Sequence, residues 1–214
     1  MEENHSNNKY WIVGALVVVV FGIFLLSRNN QGDGKVNGSI ADPVLGATDA
    51  VMVIREYTDF QCPACGAAYP EVKKFVDAHM GEVRLEVNDF PLPGHKNARV
   101  AAYAANCANA QGKFFEFEDS VFKNQSEWSN LSNPVDKFKA YINAAGGDAG
   151  KLETCTNNKD YQASVDQDVE EGKKLDINGT PTFFVNGERQ VGGLDLKGWE
   201  AELAKIKANS GPRK

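Results

Sequence analysis

Two thiols two residues apart, Cys62-Pro63-Ala64-Cys65, are the part of this sequence best suited to chemistry. Such a spacing serves three ends: disulfide exchange, soft-metal binding, or a short covalent staple. The surroundings favour exchange. A β-rich run precedes Cys62 and a helical pattern follows it, which places Cys62 at a helix N-terminus. Unpaired N–H groups and the positive end of the helix dipole stabilise a thiolate there. A thiolate is both the nucleophile and the better leaving group in exchange. Pro63 suits the first helical turn, where its missing N–H costs nothing. Cys65, one turn further in, is the candidate resolving sulfur. Zinc needs about four ligands, whereas Cys107 and Cys155 stand alone and no histidine has ligand spacing to Cys62. A structural staple across so short a loop removes little unfolded-state entropy.

A second segment, Gly179-Thr180-Pro181-Thr182, enters another β-run. An X-Pro bond there is a candidate cis peptide, although trans is favoured on sequence alone. Pro181 has no N–H to pair into the sheet, so Thr180 would offer its backbone N–H and C=O to an extended substrate by strand addition. The plainer reading is a turn proline. Glu56, six residues before Cys62, lies in the preceding β-run. In an apolar setting its carboxyl would have a raised pKa, useful for proton exchange. Otherwise it is a solvated, edge-facing glutamate. His95 follows Pro93-Gly94 and reads as a cap or surface residue. His79 suits the end of a helix, where the dipole favours a cation. Phe114, Phe115 and Phe117 read as core.

The elements that would position these residues form a recognisable order. Val51–Tyr57 (VMVIREY) reads as a buried strand, Pro63–Met80 as a helix with a kink at Pro70, and Val83–Phe90 as a second strand. Strand, helix and strand in so few residues make a parallel βαβ unit. From about residue 94 to 174 no strand pattern recurs. The alanine-rich Ala98–Ala110 and the stripe Tyr161, Val165 and Val169 are helical, with Gly146-Gly147 as a break. Asn186-Gly187 between Thr182–Val185 and Arg189–Val191 is a strong hairpin signal. Leu196, Trp199, Leu203 and Ile206 mark a last amphipathic helix. The expected fold class is α/β: a thioredoxin fold with an inserted helical subdomain, preceded by one N-terminal transmembrane helix.

That transmembrane helix is Tyr10–Ser27, uncharged and bracketed by Lys9 and Arg28. Its 18 residues would span roughly 27 Å, close to the hydrocarbon core. The competing readings are a cleavable signal peptide, whose apolar core is usually shorter, and a buried core helix. The expected organisation is a cytoplasmic segment (1–9), a signal anchor (10–27), a linker (28–46), a catalytic domain (47–209) and a tail (210–214). The 214-residue chain is 42% hydrophobic and 24% charged, enough for a sizeable core, and carries a net charge of −6 with no basic tract. Phosphate-tracking nucleic-acid binding is therefore not expected. Four N-x-S/T patterns, at Asn37, Asn124, Asn130 and Asn178, match a motif that arises readily by chance.

With these motifs in view, the chain resembles the DsbA-like thioredoxin family, in its single-domain type. The matching pieces are Asp42–Gly46 (DPVLG), Glu56–Gln61 before the first cysteine, and Asp89–Leu92. His95 with Asn97-Ala98, Gln111–Phe115 and Gly179–Gly187 match as well. The resemblance covers about Asp42 to Ala208. It implies an enzyme, a protein disulfide oxidoreductase whose redox group is the Cys62–Cys65 pair, with no cofactor and no metal. Its implied partners are reduced secreted proteins and a quinone-linked membrane protein that reoxidises it. It also implies an extracytoplasmic domain, Glu56 as a buried acid that exchanges the proton of the second cysteine, and a monomer. A Cys107–Cys155 disulfide agrees both with the family and with an oxidising compartment. One position departs: Ala64 stands where better-known members carry a thiolate-supporting histidine, which bears on oxidising strength. Reductase or isomerase action on the same site, a chaperone, and a soft-metal module are the alternatives.

Overall fold

A computed structural model describes residues 38–210 of the chain. Its frame is a five-stranded sheet in the order β1 (Val44–Gly46), β3 (Val83–Asp89), β2 (Met52–Thr58), β4 (Thr182–Val185), β5 (Glu188–Val191). Strand β2 (Met52–Thr58) alternates at first, with Met52 and Ile54 buried and Val53 and Arg55 half-buried, then runs fully buried from Glu56. It pairs in parallel with β3 (Val83–Asp89), Ile54 opposite Leu85 and Glu56 opposite Val87. Helix α1 (Pro63–Ala78) makes the crossover between them. Strand β4 (Thr182–Val185) runs antiparallel to β2 and is followed by β5 (Glu188–Val191). Their two-residue turn has positive φ at both Asn186 and Gly187, as an Asn-Gly hairpin requires. The Asn186 side chain also accepts from Val53 N (2.8 Å) and donates to Val51 O (3.0 Å), fastening the hairpin to β2.

The final helix α8 (Leu196–Ser210) packs with α1 on one face of the sheet. Trp199 joins the layers, its ring 5.2 Å from Phe183 and 5.9 Å from Phe75. A smaller cluster of Tyr57, Phe90 and Ile177, with Phe184 packed against it, forms apart from this core.

Between β3 and β4 lies the expected helical insertion. It comprises α2 (Ala98–Asn109), α3 (Phe114–Lys123), α4 (Gln125–Trp128), α5 (Val135–Ala144), α6 (Ala149–Asn158) and α7 (Gln162–Lys174). The buried alanines 101, 102, 104, 105 and 108 let neighbouring helices approach α2 closely. Gly146, at φ +78°, turns the chain between α5 and α6. Cys107 of α2 and Cys155 of α6 form a disulfide with a Cα–Cα distance of 6.0 Å. Because it closes a loop of 48 residues, removing it in a Cys107→Ala/Cys155→Ala variant should cost about 4 kcal/mol. Urea unfolding of the two proteins, both carrying Cys62→Ser and Cys65→Ser and kept free of reductant, measures this. A loss under about 1 kcal/mol would mean helix packing alone fixes α2 against α6.

Two details differ from the sequence reading. The expected linker (28–46) contains a strand: β1 (Val44–Gly46) pairs antiparallel with β3. The chain before it is also tied down, Val87 N donating to Pro43 O and Ile40 N to Ser164 Oγ. Three residues are too few to show a period, which is why the strand was invisible. Gly46 is required there, because at φ +99° any Cβ would strike the Val83 carbonyl. Helix α1, with Pro70 inside it, ends at Ala78, before the expected Met80. His79 caps it and also lies 2.9 Å from Glu200 of α8. Among the described residues no helix is long and apolar enough to cross a membrane. The expected span Tyr10–Ser27 lies outside them.

Candidate active site

Cys62 is the N-cap residue of α1, with extended backbone (φ −71°, ψ 122°), and Pro63 occupies the first turn. Both cysteines are free thiols. Both are buried, Cys62 with 7% exposure and Cys65 with none, so Cys62 is the less covered of the two. The Cys62 Sγ–H points at the Thr180 carbonyl, 3.3 Å away. The Thr180–Pro181 peptide bond is cis, and this loop enters β4 opposite the cysteines. Donation from the Cys65 thiol is the largest influence lowering the Cys62 pKa to about 5, against burial. The N–H groups of Cys65 and Ala64 add to the lowering. Burial pushes the Cys65 thiol far up, and its donation to Cys62 pushes it further. The site thus holds one sulfur ready to be a thiolate and one that keeps its proton.

Glu56 sits on β2 and is 1% exposed. Burial raises its carboxyl to about 7, with Thr58 acting in the opposite direction. One of its oxygens has no hydrogen-bond partner among the described residues. Its charge acts on Cys65, which is the relation a proton exchanger needs. The sequence reading did not single out Glu118. This α3 residue is equally buried, has an unpartnered oxygen, and is raised by burial and then by the field of Glu56. Its position inside the aromatic run Phe114–Phe122 disguised it. Phe114 and Phe117 are buried core, as expected, and Phe115 is half-buried.

Two further groups were also missed. Gln125 reaches from α4 to donate to the carbonyls of Phe60 (2.8 Å) and Cys62 (2.9 Å), so the insertion holds the backbone of the cysteine turn. Asp59 is a hub. Its backbone N–H donates to Cys65 Sγ (3.5 Å) and its C=O accepts from Cys62 N (2.9 Å). Its carboxylate accepts from Gln61 N (2.7 Å), Leu92 N (2.8 Å) and the His95 ring at Nδ1 (2.7 Å). His95 therefore belongs to the site and is more than the cap or surface residue its sequence position suggested. Among the described residues no group of three or more His, Cys, Asp or Glu is arranged to hold a metal ion.

The comparisons with known proteins agree with this geometry. Residues 39–205 match the family model described as Thioredoxin. A Na(+)/H(+) antiporter NhaA 1 of Mycolicibacterium vanbaalenii is 37% identical over 160 residues, 72% of this chain but 25% of that protein. The chain thus spans about a quarter of the length of that relative. A probable disulfide bond formation protein D of Bacillus cereus is 28% identical over 200 residues, 85% of this chain and 90% of the relative. A thioredoxin-like oxidoreductase of Silicibacter pomeroyi superposes with a TM-score of 0.65 at 26% identity, covering 83% of this chain and 98% of that structure. The family model matches over more than half of the chain, and this two-cysteine helix start faces a cis-proline loop, so the chain belongs to the thioredoxin family.

Proposed function

We propose that the protein oxidises cysteine pairs in secreted or membrane proteins. The observation that carries this reading is the asymmetry of the two sulfurs: the less covered Cys62 at the helix start, its pKa lowered, beside a fully buried Cys65, its pKa raised. A substrate thiolate attacks Cys62 Sγ of the Cys62–Cys65 disulfide. The S–S bond breaks, and Cys65 leaves with the electron pair and takes up a proton, for which Glu56 is the donor at hand. The second substrate thiolate then attacks the substrate sulfur of the mixed disulfide and expels Cys62 as a thiolate. Two electrons have passed from substrate to enzyme, and the substrate holds a disulfide. The Thr180 backbone, beside the sulfur, would pair with the extended substrate chain. No cofactor other than the cysteine pair enters this cycle.

Turnover then requires reoxidation of Cys62–Cys65, and a quinone-linked membrane protein is the proposed acceptor of those electrons. An N-terminal anchor would hold the domain outside the cytoplasm, close to that protein. The rival reading is a tethered reductase on the same site.

The reduction potential of the Cys62–Cys65 pair, measured by equilibration with glutathione buffers and mass spectrometry, decides between them. A potential near about −120 mV is that of a strong oxidant, and one near about −270 mV is that of a thioredoxin-like reductase. The oxidase reading expects the first and falls with the second.

A further inference from the structure

The nearest side chains usually credited with setting a thiolate lie between the cysteines, and here that interval holds Pro63 and Ala64, neither with a polar side chain. The polar support comes from behind the motif. The Asp59 side chain is wholly buried (0% exposed), while that of His95 is 26% exposed. Three donors converge on the carboxylate, and His95 is the side chain among them. A buried carboxylate persists as an anion only when donors compensate it. The same residue's main chain grips both cysteines. Whatever fixes the Asp59 side chain therefore fixes the backbone on which the sulfurs hang.

We propose that His95 is a positioning residue for the cysteine pair, acting through Asp59. Its Nδ1–H compensates the buried carboxylate and keeps the Asp59 main chain against Cys62 and Cys65. This rests on the redox reading of that pair and adds a residue 33 positions away from Cys62 in sequence. Two consequences of losing the donor have the same sign. An under-compensated anion behind the motif disfavours a second negative charge on Cys62. A displaced Asp59 weakens the N–H donation to Cys65 Sγ, which exists for the reduced pair. Both favour the disulfide over the dithiol, making the enzyme a weaker oxidant.

The test compares His95→Leu, His95→Asn and His95→Asp in the otherwise intact protein. The readouts are the equilibrium with glutathione and the ultraviolet titration of the Cys62 thiolate. His95→Leu should shift the equilibrium toward the disulfide by at least about fivefold, a part of one charge-assisted hydrogen bond because only the difference between dithiol and disulfide counts, and raise the Cys62 pKa. His95→Asn, which keeps a nitrogen donor, should return both values to within about twofold of the natural protein. His95→Asp sets a like charge against Asp59 and should be the most shifted. Should His95→Leu fail to fold, the equally shaped Asn and Asp variants still decide the matter, since equal values for those two overturn the proposal. Unshifted values in a folded His95→Leu overturn it as well. A natural protein whose cysteines do not equilibrate with glutathione overturns the redox reading and this inference with it. Normal equilibration with indifferent variants overturns the inference alone.

Discussion

Cys62→Ser is expected to bring disulfide exchange down to the uncatalysed background, while Cys65→Ser yields a protein that reacts once and stalls as a mixed disulfide. The difference follows from where the two sulfurs sit. Cys62 is the less covered sulfur, at the N-terminus of α1, with its pKa lowered to about 5. Cys65 is wholly covered and keeps its proton, so it meets only a sulfur already attached to Cys62. With Cys65→Ser, reduced protein mixed with glutathione disulfide should accumulate the Cys62–glutathione adduct, visible by mass spectrometry and reversed by dithiothreitol. The opposite pattern, trapping by Cys62→Ser and none by Cys65→Ser, would exchange the roles of the two residues.

The size of the Cys62 shift also says which half of the reaction benefits. At pH 7 a thiol of pKa about 5 is almost wholly ionised, whereas an ordinary one is a few per cent ionised, a gain of roughly 30-fold in thiolate. Intrinsic nucleophilicity falls with pKa along a slope of about 0.4–0.5, which removes roughly 40-fold over the same interval. The two nearly cancel for attack by Cys62. What remains is its quality as a leaving group, and Cys62 leaves in the step that releases an oxidised substrate. The shift therefore favours departure of Cys62 from a mixed disulfide more than attack by it, even with alanine at position 64.

The parts of this site visible in the sequence are those encoded locally. The cysteine spacing, the strand before it and the helix after it fall within a few residues, and Asn186-Gly187 marks its hairpin by backbone demand alone. The insertion was legible because its helices repeat apolar residues on a helical period. What escaped depends on contacts between distant segments. Asp59 and His95 meet across 36 residues and Gln125 bridges 63 residues to Cys62. Nothing in the local pattern of DFQC or PLPGH announces those bonds. Glu118 escaped for a different reason: a glutamate is read by its type as solvent-facing, yet it falls on the buried stripe of α3 with Phe114, Phe117, Val121 and Phe122. Strand β1 escaped because three residues carry no period.

Glu56→Gln should make the reduced protein more stable near neutral pH and slower in exchange, two effects with one origin. Glu56 lies on β2 with essentially no exposure, and burial raises its pKa from 4.5 to about 7. The folded state therefore favours the protonated carboxyl. Between pH 4.5 and 7 the unfolded chain loses this proton while the folded protein keeps it. The folded state then binds more protons, and stability falls as pH rises through that interval. The loss attributable to Glu56 is about 3 kcal/mol once pH 7 is passed. Glutamine keeps the shape without the ionisation, so denaturant curves of the two proteins should coincide near pH 4 and separate toward pH 8, with the variant more stable. Other buried acids, among them Glu118, Asp89 and Asp168, are raised too, and taking the difference between variant and natural protein isolates Glu56 from those that it does not touch. Glu118 lies in the field of Glu56, so the Glu56→Gln/Glu118→Gln double variant should depart from the sum of the single effects. The same buried carboxyl is placed to hand a proton to Cys65 as the enzyme disulfide opens, and glutamine cannot. Formation of the mixed disulfide with a reduced peptide should therefore slow in the variant, most clearly below pH 7, where Glu56 carries its proton. A variant whose stability and exchange rate both track the natural protein from pH 4 to 8 would mean that water reaches this carboxyl and that the Cys65 proton travels by another route.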